Sequence, residues 1–142
     1  MSCQLTFIGE NLDVDALVER IDLPGFEKKY KGELFSPRRN LYSKTSSASI
    51  FISDTSIGDT DFENFKQQAI EAQNFLQTHK DKLKCFADIE GVDYATISFG
   101  SNSTSLIEKS VQSFYFPISL ITICAELKIS IETTIYNNNH FL

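Results

Sequence analysis

The sequence predicts an α+β fold, in which one long helix (about residues 60–86) and two shorter helices cover a mostly antiparallel sheet of five to six strands. Apolar residues recur every three or four positions along the long helix, whereas several other segments alternate between apolar and polar residues. Strands outnumber β-α-β alternations, and this order favours an antiparallel layer. At 142 residues, the chain is expected to form one domain over residues 1–142.

The first elements are a strand and a short helix. Residues 3–8 alternate between apolar and polar side chains and predict a strand that ends at Gly9. A helix is expected next, with the inward residues Val14, Leu17, Val18 and Ile21. Asp13 and Asp15 fall in its first turn, where the positive end of the helix dipole favours carboxylates.

Residues 26–44 show no clear hydrophobic period, and we expect an ordered loop with a short strand near Phe35. Strands are then predicted at residues 41–45 and 48–53. The two serines between them either make a tight connection or belong to one long bent strand.

The long helix carries a single apolar stripe, interrupted only by His79. The stripe consists of Phe62, Phe65, Ala69, Ala72, Leu76, Leu83 and Phe86. Thr60 and Glu63 have the spacing of a capping box. We expect the stripe to lie across the sheet. Its near-heptad spacing also suits a coiled-coil seam, but two alanines and a histidine make a weak seam, which favours a monomer over a homodimer.

The remaining elements follow the long helix. Residues 94–99 alternate and predict a strand, and residues 111–116 predict another that Pro117 ends. Proline is favoured in the first turn of a helix, so residues 118–127 are expected to form a short buried helix. Residues 129–135 alternate most clearly of all and predict the last strand.

Composition and charge narrow the class of protein. No segment approaches the roughly 20 apolar residues that a membrane-spanning helix needs, and the first residues lack the pattern of a signal peptide. The three cysteines are odd in number and widely spaced, which suits a reducing compartment. We therefore expect a cytoplasmic protein. A net charge of −6 disfavours nucleic acid as a partner, because phosphate contacts need a basic face.

Sequence motifs of catalysis are absent. The chain has no phosphate-binding GxxxxGK[ST], no GxGxxG, no HExxH and no GxSxG. Its two histidines and three cysteines lack the spacing of metal ligands. We predict no cofactor, no metal and no catalytic residue. We interpret His79 as a boundary residue that covers apolar surface, with a general base as the alternative, and we interpret Cys85 and Cys124 as structural.

Acidic residues form clusters near Asp13, near Asp59 and at residues 88–93. We predict that the first two clusters contact a protein partner, and the predicted contacts are Asp13, Asp15, Glu19, Asp54, Asp59 and Asp61. The preference of helix starts for carboxylates explains part of both clusters. An acidic surface would steer a basic partner toward the chain and pair with it.

The segment 28–44 is basic, with Glu33 as its single carboxylate. Its cations are Lys28, Lys29, Lys31, Arg38, Arg39 and Lys44. In the alternative hypothesis the chain is a small enzyme or a ligand-binding domain, in which Arg38 and Arg39 grip a carboxylate or phosphate and Tyr42 orients it. A concave surface between this loop and the sheet would favour that hypothesis, whereas a flat surface would favour protein binding.

Several short segments resemble a bacterial family of small α+β domains of unknown function. FIGENLDVDAL (residues 7–17) is similar to the family's opening strand, glycine, aspartate-rich turn and short helix, and Lys31-Gly32-Glu33 to its Gly-acid step. FPISL (116–120) and ISIETTIY (129–136) resemble its ending. Members of the family usually carry a tryptophan in the strand after the basic loop, and this sequence has none there. Some members resemble immunity proteins encoded beside bacterial toxins. The resemblance therefore implies a non-catalytic binding protein, most concretely an immunity protein that neutralises a cognate toxin.

Overall fold

The computed structural model describes residues 2–54, 61–102 and 114–136, and it confirms the α+β class. The strands are β1 (Ser2–Gly9), β2 (Glu27–Lys29), β3 (Leu34–Ser36), β4 (Leu41–Tyr42), β5 (Ser46–Asp54), β6 (Tyr94–Asn102) and β7 (Ser130–Tyr136). The α-helices are α1 (Val14–Ile21), α2 (Asp61–Thr78), α3 (Lys80–Leu83) and α4 (Ile118–Glu126), and a 3-10 turn (Lys84–Asp88) follows α3. Within the described ranges, no helix is long and apolar enough to cross a bilayer.

Strand β1 is the centre of a five-stranded sheet with the order β2-β5-β1-β6-β7. It is antiparallel to β5 and to β6, and its residues Cys3, Leu5 and Phe7 are fully buried toward the helices. The intervening residues of β1 and its neighbours form the open face of the sheet. Among the described residues, strands β3 and β4 pair only with each other, as a hairpin beside the β2 edge.

The sheet is mixed, so the prediction of a mostly antiparallel sheet was wrong. Strands β6 and β7 are parallel, with residue 97 opposite residue 131. The wrong expectation arose from the strand predicted at 111–116. Residues 114–117 are irregular, and residues 111–113 lie outside the described ranges. The chain therefore reaches β7 from β6 through α4, and a crossover of this kind brings a strand back in parallel.

The prediction of a single long helix over about residues 60–86 was also wrong. Helix α2 ends at Thr78, and the backbone of His79 (φ −105°, ψ 15°) leaves the helical region before α3 begins. The break turns the chain toward α1, so that Leu83 and Phe86 reach the core and the rings of Phe86 and Phe7 lie 5.0 Å apart. A step of three residues fits a 3-10 turn as well as an α-helix, so periodicity does not reveal the change.

The apolar stripe itself packs as predicted. Phe65, Ala69, Ala72 and Leu76 of α2 are buried against β1, β5 and β6, and the predicted contact of Phe62 lies outside the described side chains. The ring of Phe65 lies 5.6 Å from that of Phe99 on β6. The apolar stripe of α2 therefore packs against the sheet.

Candidate binding site at the hairpin

The basic segment folds into an ordered hairpin, in which β3 and β4 are joined to the sheet by short connections. The amide of Gly32 donates to the carbonyl of Ser43, and the amide of Ser43 donates to the carbonyl of Glu33, both at 2.8 Å. Gly32 has a φ of +90°, a left-handed conformation that glycine adopts without strain. These bonds fix the base of the hairpin.

Helix α1 holds the strand that leads into the hairpin. Oδ1 of Asp15 accepts hydrogen bonds from Nζ of Lys28 at 2.8 Å and from the hydroxyl of Tyr30 at 2.7 Å. These two donors, Lys28 first, lower the pKa of the Asp15 carboxyl below its ordinary value. The amide of Lys31 donates to Oγ of Ser46 at 2.9 Å, which ties the same segment to the start of β5.

A concave pocket lies between the hairpin and the edge of the sheet. It has a volume of about 590 Å³, and its lining residues are Lys29, Phe35, Leu41, Tyr42, Ser43, Lys44 and Thr45. Strand β2 supplies one wall, β3 and β4 supply the apolar wall, and the connection to β5 forms the rest. The segment 28–44 thus presents a shallow concavity that is open to solvent.

Two ammonium groups belong to this pocket. Adjacent residues of a strand point to opposite faces, so Lys28 faces α1 whereas Lys29, paired with Ser47, faces the open side of the sheet. Among the residues that the structure describes, no carboxylate lies within 4.0 Å of the ammonium nitrogen of Lys29 or Lys44. Both lysines therefore keep their charge available for an anion.

The apolar wall of the pocket is unusually open to solvent. Leu41 and Tyr42 are exposed, and Phe35 is 63% exposed. Large apolar residues at the surface often mark binding sites. A ligand that combines an anionic group with a flat apolar part would match both the lysines and this wall.

The predicted anion-binding residues are only partly brought together. Tyr42 lines the pocket. Arg38 and Arg39 lie in the turn between β3 and β4, at the tip of the hairpin and outside the lining set. Sequence reasoning recognised the basic segment but did not single out Lys29 and Lys44. Their position follows from strand alternation in β2 and from the connection into β5, and β2 itself was not predicted.

Of the predicted partner-binding carboxylates, the structure describes the side chains of Asp13, Asp15 and Glu19, all on or next to α1. Oδ1 of Asp13 accepts from the amide of Ala16 and caps α1, Asp15 is bound to Lys28, and Glu19 is exposed on the same helix. The backbones of Asp54 and Asp61 lie at the end of β5 and the start of α2, and their side chains lie outside the described set. Residue 59 is outside the described ranges.

The histidine and the cysteines occupy packed positions. The ring of His79 lies 4.7 Å from that of Phe75, at the break between α2 and α3. Burial raises the pKa of the Cys124 thiol to about 11, and burial, then Cys124 and Glu71, raise the pKa of Cys3. Cys85 donates to the carbonyl of Lys82. Within the described residues, no three His, Cys, Asp or Glu side chains are grouped to hold a metal ion.

Comparisons with family models, with curated proteins and with solved structures find no match to this chain. The resemblance of its opening and closing segments to immunity-like domains therefore stays a prediction. The geometry of the hairpin pocket and the distribution of charge are the features that bear on function.

Proposed function

We propose that this chain is a non-catalytic binding domain, whose hairpin pocket recognises a ligand with an anionic group attached to an aromatic or other flat apolar part. The observation that carries the proposal is the concavity of about 590 Å³, in which Lys29 and Lys44 meet the apolar wall of Phe35, Leu41 and Tyr42. Ligand pockets typically have volumes in this range. The lining here is mixed, with the polar residues Lys29, Ser43, Lys44 and Thr45 facing the apolar wall.

The two parts of the pocket contribute differently. An ammonium group that donates to a carboxylate or phosphate makes a charge-assisted hydrogen bond, which contributes more than a neutral one. A ligand that covers the exposed ring of Phe35 and the side chain of Leu41 removes apolar surface from water, which contributes favourably to the binding free energy. A small anion without an apolar part would therefore use the lysines alone and bind more weakly.

A thermal-shift series tests the proposed ligand class. Phenyl phosphate should raise the melting temperature more than inorganic phosphate at equal concentration and ionic strength, because a ligand that binds only the folded state stabilises it by mass action. Benzene sulfonate should act like phenyl phosphate. Equal shifts for phosphate and phenyl phosphate would argue for non-specific charge binding, and no shift with any anion would contradict the proposal.

The second candidate function is that of an immunity protein in the bacterial cytoplasm, which neutralises a cognate toxin by direct contact. The separation of charge favours it. Residues 28–44 hold six cations and one carboxylate, a net +5, so the rest of the chain carries a net −11. An acidic body suits the basic groove of a nuclease toxin, and steering by opposite charge gives fast association.

Co-expression tests the second candidate. The protein should protect the host from a toxin encoded immediately upstream and should co-purify with it. Glu19 is an exposed member of the predicted contact set, so Glu19→Lys should weaken the complex, whereas Lys44→Gln in the hairpin should leave it intact. The absence of protection and of a complex would rule this function out.

A further inference from the structure

Strand β2 carries Lys29 into the hairpin pocket, although little within the sheet fixes its position. It is an edge strand of three exposed residues, and within the described ranges it pairs with β5 alone, with residue 28 opposite residue 48. A strand without a buried face has a weakly specified register, and a slip of one residue moves each side chain to the other face. Contacts outside the strand ladder are therefore expected to decide which lysine faces the pocket.

Asp15 of α1 makes such a contact. Its Oδ1 accepts hydrogen bonds from Nζ of Lys28 at 2.8 Å and from the hydroxyl of Tyr30 at 2.7 Å. Lys28 and Tyr30 are two residues apart and so lie on one side of an extended segment, whereas Lys29 between them lies on the other side. One carboxylate oxygen thus binds both neighbours of the lysine that lines the pocket.

We propose that Asp15 is a positioning residue for the hairpin pocket: by binding Lys28 and Tyr30 on the α1 side, it fixes Lys29 on the pocket side. Asp15 itself is outside the lining set, so it acts on the ligand only through β2. The inference rests on the proposed function, because it assigns Asp15 a role in the affinity of that same site for an aromatic anion.

The ion pair also distinguishes two adjacent lysines by charge. The hydrogen bond from Lys28 lowers the pKa of the Asp15 carboxyl, and the same bond raises the pKa of the Lys28 ammonium group. Both groups are therefore ionised at neutral pH, and Asp15 neutralises the charge of Lys28. Among the described residues, Lys29 has no carboxylate within 4.0 Å of its ammonium nitrogen, so it is the lysine of β2 that can bind an anion.

The contact is expected to act locally rather than on the whole fold. The side chain of Asp15 is 60% exposed and that of Lys28 is 37% exposed, and exposed ion pairs contribute little to global stability. An edge strand with few buried contacts, however, opens at a small cost in free energy, so even a small contribution changes the fraction of molecules in which β2 is in place. Loss of the Asp15 carboxylate should therefore loosen β2 while the core stays folded.

Amide hydrogen exchange and a phenyl phosphate titration of Asp15→Ala test the inference. The amides of β2 should exchange about threefold faster or more, and the dissociation constant should rise by a similar factor, whereas exchange in β1 should not change. Removal of a carboxylate makes the chain less acidic, which by net charge alone would favour an anion, so weaker binding reports the position of Lys29. Asp15→Asn, which keeps an acceptor oxygen, should lie between the wild type and Asp15→Ala in both measurements.

Glu126→Ala is the matched control, because Glu126 of α4 is also an exposed helical carboxylate in an ion pair, with Lys80 at 2.6 Å. It should keep the wild-type exchange of β2 and the wild-type affinity. Unchanged exchange of β2 in Asp15→Ala overturns the inference, and so does faster exchange without loss of affinity or an equal effect of Glu126→Ala. If the wild type does not bind phenyl phosphate, the proposed function fails, and the exchange of β2 in Asp15→Ala alone decides whether Asp15 positions the strand.

Discussion

Gly9 and Gly91 lie where β1 ends against the turn that precedes β6. The amide of Asp93 donates to the carbonyl of Ile8, and Oδ2 of Asp93 accepts from the amide of Glu10, both at 2.9 Å. These bonds draw the two backbones so close that a Cβ on Gly9 would lie 1.7 Å from the carbonyl oxygen of Gly91. Backbone atoms, rather than a movable side chain, occupy the space.

Gly9→Ala should therefore be among the most destabilising single substitutions in the chain. We expect a loss of about 3 kcal/mol or more in the free energy of unfolding, at the upper end for overpacking. Gly32→Ala is the control, because a Cβ there meets nothing within 4 Å and only the φ of +90° is strained, which costs about 1–2 kcal/mol. Urea denaturation of both variants compares them, and equal losses would contradict the close approach.

At the scale of elements, the packing of α2 on the sheet rests on a few large side chains. Leu76 is fully buried on this helix. Leu76→Ala should lower the free energy of unfolding by about 2–5 kcal/mol, as for other deletions of a buried leucine. Leu34→Ala in the exposed hairpin should cost little. A small cost for Leu76→Ala, measured by the same denaturation, would mean that the stripe does not face the sheet.

The sequence predicted the elements that have long, regular patterns. Elements of the structure correspond to the alternation at residues 94–99, to that at 129–135 and to the stripe of α2. Strand β2 has only exposed residues and no alternation to detect, and the direction of β7 depended on a strand at 111–116 that residues 114–116 do not form. The break at His79 was hidden because a 3-10 turn continues the stripe.

The candidate site was predicted at the level of composition only. The cations of 28–44 were visible, but which of them share a concave surface depends on the fold of the hairpin. Arg38 and Arg39 are adjacent in sequence yet lie at its tip, whereas Lys29 and Lys44 are fifteen residues apart and line one pocket. Pairing between β2 and β5 brings them together, and no local pattern encodes that pairing.

At the scale of the whole molecule, the basic hairpin lies beside the β2 edge of the sheet, and β7 forms the opposite edge. The body between them is acidic. Because an acidic body repels anions at long range and salt screens that repulsion, binding at the hairpin depends on direct contacts with Lys29 and Lys44 rather than on net charge. This dependence on two particular lysines distinguishes a built pocket from a generally basic loop.

The central claim is that Lys29 and Lys44, with the apolar wall, form a binding pocket for aromatic anions. Two-dimensional ¹H–¹⁵N NMR titration with phenyl phosphate tests it most directly. We expect shifts concentrated at Lys29 and residues 42–45. The double variant Lys29→Gln/Lys44→Gln should weaken binding by about a hundredfold or more, since each of the two charge-assisted hydrogen bonds contributes about 1.5–3 kcal/mol. Arg38→Gln/Arg39→Gln, which removes the same charge from the same basic segment 28–44, should bind as the wild type does. Equal weakening by both double variants, or shifts spread over the basic segment without a focus, would contradict the account.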